Sequence, residues 1–95
     1  MDENRIRVSF AKQGLMKNFD ARLISVEEGK VRIECLKTES LTQQHGFFHA
    51  GVLTSIVDSA CGYAALTLMP GEKDVLTVEF KVNLLRPANT DKIVC

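Results

Sequence analysis

The sequence has no tryptophan, one tyrosine and only two prolines in 95 residues. Charge of one sign is missing as well. Twelve Lys and Arg balance twelve Asp and Glu, so the chain lacks the electrostatic footprint of nucleic-acid or acidic-membrane binding. Its three cysteines, Cys35, Cys61 and Cys95, are odd in number and have neither CxxC nor Cys/His ligand spacing. That pattern argues against a disulfide framework or a zinc site and for reduced thiols in the cytoplasm. A secretory leader is not apparent in the charged start MDENRIRVSF, and no apolar stretch is clean enough for a membrane span. The length suits one domain with one modest core.

What is present is one long apolar segment. From His49 to Met69, apolar residues recur at Val52, Leu53, Ile56, Val57, Ala60, Cys61, Ala64, Ala65 and Leu68. This is the spacing of a helix with a wide buried face, broadened further by Tyr63, Leu66 and Met69. The remaining stripe is small and polar, with Gly51, Ser55, Asp58 and Gly62 in line and Thr54 and Ser59 beside them. Asp58 is thus predicted two turns into a largely buried helix, where bulk is low and something can approach closely. Another backbone or a slender ligand would fit. A buried carboxylate without a partner costs roughly several kcal/mol, so Asp58 is either a reactive group or one bonded to neighbouring hydroxyls or turned to solvent.

Around this helix the chain reads in order. Residues 2–19 give a weak helical signal through Ile6, Phe10 and Leu15. Ala21–Val26 and Lys30–Leu36 read as strands joined at Glu27-Glu28-Gly29, a hairpin whose second strand turns Val31, Ile33 and Cys35 to one side. Gln43–Phe48 enters the helix without a recognisable cap, and Ala50-Gly51 leaves first-turn N–H groups unshielded, a ready place for an oxyanion or phosphate. Pro70-Gly71 is expected to stop the helix. Val75–Leu85 alternates and predicts a strand burying Val78, Phe80, Val82 and Leu84, and Lys92–Cys95 begins another. The order is α+β, an antiparallel sheet curled around one helix.

Four pieces then carry a family likeness: Q-x-x-G-x-x-H-A-G from Gln43 to Gly51, Asp58 nine positions after His49, the small residues Ala60, Gly62 and Ala64, and LTVEFKVNLLRPA after a Pro-Gly turn. Together they resemble the hot-dog-fold acyl-CoA thioesterases of the phenylacetate-pathway, PaaI-like type. The resemblance implies a curved antiparallel sheet around the central helix, homodimers or homotetramers with sites between subunits, and hydrolysis of acyl-CoA with no cofactor. It implies Asp58 as general base or nucleophile, an amide of His49-Ala50-Gly51 as oxyanion donor, and roles for Gln43 before the turn and Thr77 after the helix. Arg86, at the end of an apolar run, is a candidate for a coenzyme A phosphate.

The chain departs from that pattern at Ala50, where glycine is commoner, and at His45, an added imidazole. Roughly two final strands of the family fold are also absent, so residues 1–95 read as one hot-dog domain truncated at its C-terminus. Two other functions remain open. One is a non-catalytic acyl-CoA-binding module. The other is a hot-dog enoyl-thioester hydratase, which would need a histidine, His45 or His49, close to a carboxylate across the subunit interface, and which the spacing of Asp58 disfavours.

Overall fold

A computed structural model describes residues 1–95. Its organising element is helix α3, Ala50–Leu66, which buries Val52, Ile56, Ala60, Tyr63 and Leu66. These residues recur every three or four positions, so they form one stripe along the helix. The stripe packs against strand β2, Lys30–Leu36. There Val31, Ile33 and Cys35 point inward as expected. Ile33 and Ile56 are fully enclosed, and burying side chains of that size contributes about 1.5–3 kcal/mol each.

Strand β2 is the middle of a three-stranded antiparallel sheet in the order β1-β2-β3, with β1 at Arg22–Glu27 and β3 at Lys92–Val94. The β1–β2 turn is the expected hairpin. Gly29 sits there at φ +72°, a backbone conformation that glycine adopts without the steric penalty of a Cβ. Its N–H donates to the buried Thr67 hydroxyl at 2.8 Å, and that hydroxyl donates to the Ala64 carbonyl at 2.6 Å. The hairpin is thereby fastened to the end of α3. The register shifts between Leu23 and Ser25.

The lead-in segment is helical but divided into α1, Glu3–Ala11, and α2, Gly14–Phe19. Asp2 caps the first by accepting from the Arg5 N–H. Ile6 and Met16 enter the core. The Arg5 guanidinium donates to the carbonyls of Met69 and Lys73, pinning the turn that follows α3. No helix is long and apolar enough to cross a membrane.

Three local expectations are corrected. Helix α3 ends at Leu66 with Thr67 as its cap rather than running to Met69, and Leu68 is 67% exposed. Cys61, whose spacing suggested a buried position, is exposed. Val75–Leu85 forms no strand, and Val78 and Leu84 are 96% and 57% exposed instead of buried. The physical reason is pairing: a strand exists through the hydrogen bonds of a neighbour, and β1, β2 and β3 pair only with one another.

Candidate active site

Helix α3 projects Asp58 from its small-residue stripe, and the carboxylate is half-buried rather than sealed within the core. The Thr77 hydroxyl donates to Asp58 Oδ1 at 2.7 Å. The hydroxyls on the helix make other bonds: Thr54 Oγ1 donates to the Ala50 carbonyl and Ser55 Oγ to the Gly51 carbonyl, each at 2.8 Å. Asp58 is therefore held by a residue beyond the helix. The pair opens onto a cleft of about 430 Å³, whose walls include Gln13, Ser59, Gly62 and Tyr63.

The start of α3 is built differently. His49 is its cap, contrary to the expectation of none, with φ −64° and ψ 137° and its Nδ1 accepting the Gly51 N–H at 2.8 Å. The His49 carbonyl accepts the Val52 N–H at 2.9 Å. Gly51 is thus not the free donor that the sequence suggested. Ala50, the first helical residue, has an N–H engaged by no hydrogen bond within the chain.

Gln43 organises the approach to this helix. Its Oε1 accepts the His45 N–H at 2.7 Å and the Phe47 N–H at 3.1 Å. A second cleft, of about 440 Å³, is lined by Gln43, Ala50, Leu53, Leu84 and Arg86 among others.

The expected site residues consequently fall into two groups within one chain. Asp58 and Thr77 share the first cleft, while Gln43, Ala50 and Arg86 share the second. Asp58 lies eight positions after Ala50, so at helical rise their backbones lie about 12 Å apart along the axis. A thioester carbonyl cannot touch both groups of one chain. Residues that the sequence did not single out are Gln13 and Ser9, which bond to α3 across the first cleft. Their separation from α3 in the chain left no motif to find them by.

The Thioesterase superfamily pattern matches residues 45–95, more than half of the chain. The chain belongs to the thioesterase superfamily. A solved thioesterase family protein from Silicibacter pomeroyi is similar at 47% identity and a TM-score of 0.93, over 96% of this chain and 67% of that one. The solved PaaI protein from the phenylacetic acid degradation operon of E. coli shares the fold at 20% identity and a TM-score of 0.83, over 96% of this chain and 64% of that one. Among curated proteins, the 1,4-dihydroxy-2-naphthoyl-CoA hydrolase of Listeria monocytogenes is 28% identical over 72 residues, 76% of this chain and 58% of that one. The chain spans about half the length of the curated relatives it matches.

These likenesses bear out the hot-dog architecture, a long helix against an antiparallel sheet, and the PaaI-like resemblance. In a thioesterase the separation of carboxylate from amide has a direct consequence. The two must be brought together across a pair of chains if both are to act on one carbonyl.

Proposed function

We propose that this thioesterase-superfamily protein hydrolyses acyl-coenzyme A thioesters as a homodimer or a dimer of dimers. Each site would take Asp58 and Thr77 from one protomer and the Ala50 N–H from its partner. The observation that carries this reading is the pairing of Asp58 with Thr77 at 2.7 Å in a cleft that excludes the helix start.

In the proposed reaction Asp58 takes a proton from water, and the resulting hydroxide attacks the thioester carbon. The carbonyl π electrons move to oxygen, where the Ala50 N–H meets the developing charge. Collapse of the tetrahedral intermediate breaks the carbon–sulfur bond, and the coenzyme A thiolate recovers the proton from Asp58. Alternatively, the Asp58 carboxylate attacks directly and water hydrolyses the anhydride. A thiolate is a good leaving group, so neither route needs a metal or redox cofactor.

Thr77 orients the carboxylate, Gln43 shapes the loop that presents Ala50, and His49 fixes the first turn. Arg86 beside that turn is a candidate partner for a coenzyme phosphate. Free thiols at Cys35, Cys61 and Cys95 suit a reducing, cytoplasmic compartment. In the hydratase alternative a histidine of one chain would meet Asp58 of the other, and His49 Nδ1 already accepts the Gly51 N–H, leaving only Nε2 for that role.

The test is free-thiol release from a panel of acyl-CoA esters by the full-length protein and by Asp58→Asn. Loss of proton transfer by a positioned base is expected to slow turnover about 100- to 10,000-fold. Undiminished turnover in the variant would remove Asp58 from the mechanism. Tight binding of the esters without thiol release by the unaltered protein would favour the binding-module alternative.

A further inference from the structure

A second face of α3 meets the sheet at two cysteines. Val57, Ala60, Cys61 and Ala64 recur at helical spacing, and they line a cavity of about 220 Å³ whose sheet side includes Val31 and Cys95. Cys95 follows directly on β3 and is bonded as part of the sheet. Its N–H donates to the Ile33 carbonyl and its carbonyl accepts the Ile33 N–H, each at 2.9 Å. Residues opposed in this way share one face of a sheet, and Ile33 is fully enclosed on the face that packs against α3. The half-buried Cys95 therefore turns towards the helix, where it packs against the core. Cys61 is the exposed member of the pair. The third cysteine, Cys35, is buried outside this cavity, with its Sγ donating to the Phe19 carbonyl at 3.4 Å.

We propose that Cys61 and Cys95 form a redox site, which hydrogen peroxide converts to an intrachain disulfide that slows the enzyme. Exposure assigns the first step to Cys61, since oxidation follows access to solvent. Its thiolate attacks one peroxide oxygen, an S–O bond forms, the O–O bond breaks, and the released hydroxide takes a proton to become water. Cys95 is the resolving thiol. Burial first, then Cys35 and Cys61, push this thiol up, so it keeps its proton until the sulfenic acid stands beside it. It then gives that proton to solvent and attacks the Cys61 sulfur, forming the S–S bond and breaking the S–O bond as a second water leaves. The two thiols together lose two electrons, and the peroxide gains them. A disulfide holds its Cβ atoms roughly 3.5–4.5 Å apart, so its formation draws α3 and the end of β3 together across the cavity. Asp58 lies one turn before Cys61 on α3, whereas its partner Thr77 lies outside the helix. A shift of the helix therefore moves the carboxylate against its support. The effect on turnover rests on the thioesterase reading, and the bond itself does not.

The experiment treats the full-length protein with a small excess of hydrogen peroxide and reads it in two ways. Mass spectrometry without reduction gives the intact mass and the linked peptides, and loss of thioester absorbance from a panel of acyl-CoA esters gives turnover. The expected result is loss of two hydrogens, a Cys61–Cys95 linked peptide, and turnover lowered about tenfold or more by the displaced carboxylate. Dithiothreitol should restore both mass and turnover, which separates the disulfide from oxidised methionine, a form that needs its own reductases. Cys61→Ser and Cys95→Ser should each abolish the linked peptide and keep turnover through the treatment, and Cys35→Val should alter neither response. Oxidation of Cys61 to the sulfinic acid, its linkage to a second chain, or no linked peptide at all would overturn the proposal. A Cys61–Cys95 bond that leaves turnover unchanged would overturn its coupling to Asp58. Absence of hydrolysis by the reduced protein would instead count against the thioesterase reading, and the linked peptide would still decide whether the redox site exists.

Discussion

The Thr77 hydroxyl donates to Asp58 Oδ1 at 2.7 Å across 19 positions of sequence. The bond spans the turn from Pro70 to Asp74, so the placement of the carboxylate depends on a segment outside its own helix. That segment is tied down in turn by Arg5, whose guanidinium reaches the Met69 and Lys73 carbonyls.

Removal of the hydroxyl should leave Asp58 present but less well aimed. Thr77→Val is expected to lower kcat about tenfold or more, as a hydrogen bond to a charged group is typically worth about 1.5–3 kcal/mol. KM should change little, because the loss concerns alignment rather than substrate contact. Thr77→Ser should restore most of the rate. Steady-state kinetics on the three proteins decides this.

His49 offers a separate test of structure against chemistry. Its Nδ1 satisfies the Gly51 N–H, so His49→Ala should cost about 1 kcal/mol of stability, the usual loss when a helix cap is deleted. Asn is a preferred cap, and His49→Asn should recover stability and activity together. Recovery of stability alone in thermal melts and thiol-release assays would show that the imidazole takes part in the reaction.

The cysteines predict a pH dependence. Burial first, and the nearby Asp20 carboxylate second, push the Cys35 thiol above its ordinary value of 9.0. Cys95 is raised by burial, then by Cys35 and Cys61. A raised thiol means that the folded state holds its proton more tightly than the unfolded chain. The associated stability is complete below the unfolded value and is lost as pH rises from there through the folded value. Urea midpoints should therefore fall as pH rises above 9.0, and Cys35→Val should lessen the fall. In the native protein iodoacetamide should label Cys35 far more slowly than after denaturation, since the thiolate is the reactive form.

Much of the scaffold is legible in the sequence because its signals are local. The alternation of Val31, Ile33 and Cys35 with Gly29 before it specifies the hairpin, and the recurrence of Val52, Ile56 and Ala60 specifies the helix. Its ends are less legible. His49 is not among the usual capping residues, and the stop at Leu66 is accompanied by the Thr67–Gly29 bond, whose partners lie 38 positions apart. The strand expected at Val75–Leu85 has the right alternation, but pairing depends on a neighbour that local pattern does not encode. The same holds at the site. Asp58 and Thr77 could each be picked out, while their contact and the Gln13–Tyr63 bond belong to tertiary structure.

The central claim is that carboxylate and amide act from different chains, and subunit mixing tests it. Ala50 is the first residue of α3, where proline is favoured and removes only the N–H. The preceding His49, at φ −64° and ψ 137°, already has the conformation that proline demands of its neighbour. Ala50→Pro and Asp58→Asn should each be folded and nearly inactive. After the two are mixed, dissociated and reassembled, each hybrid dimer carries one intact site, and random pairing should restore about a quarter of the unaltered activity. Recovery of that size is the predicted result, and a reassembled mixture no more active than its components would contradict the account.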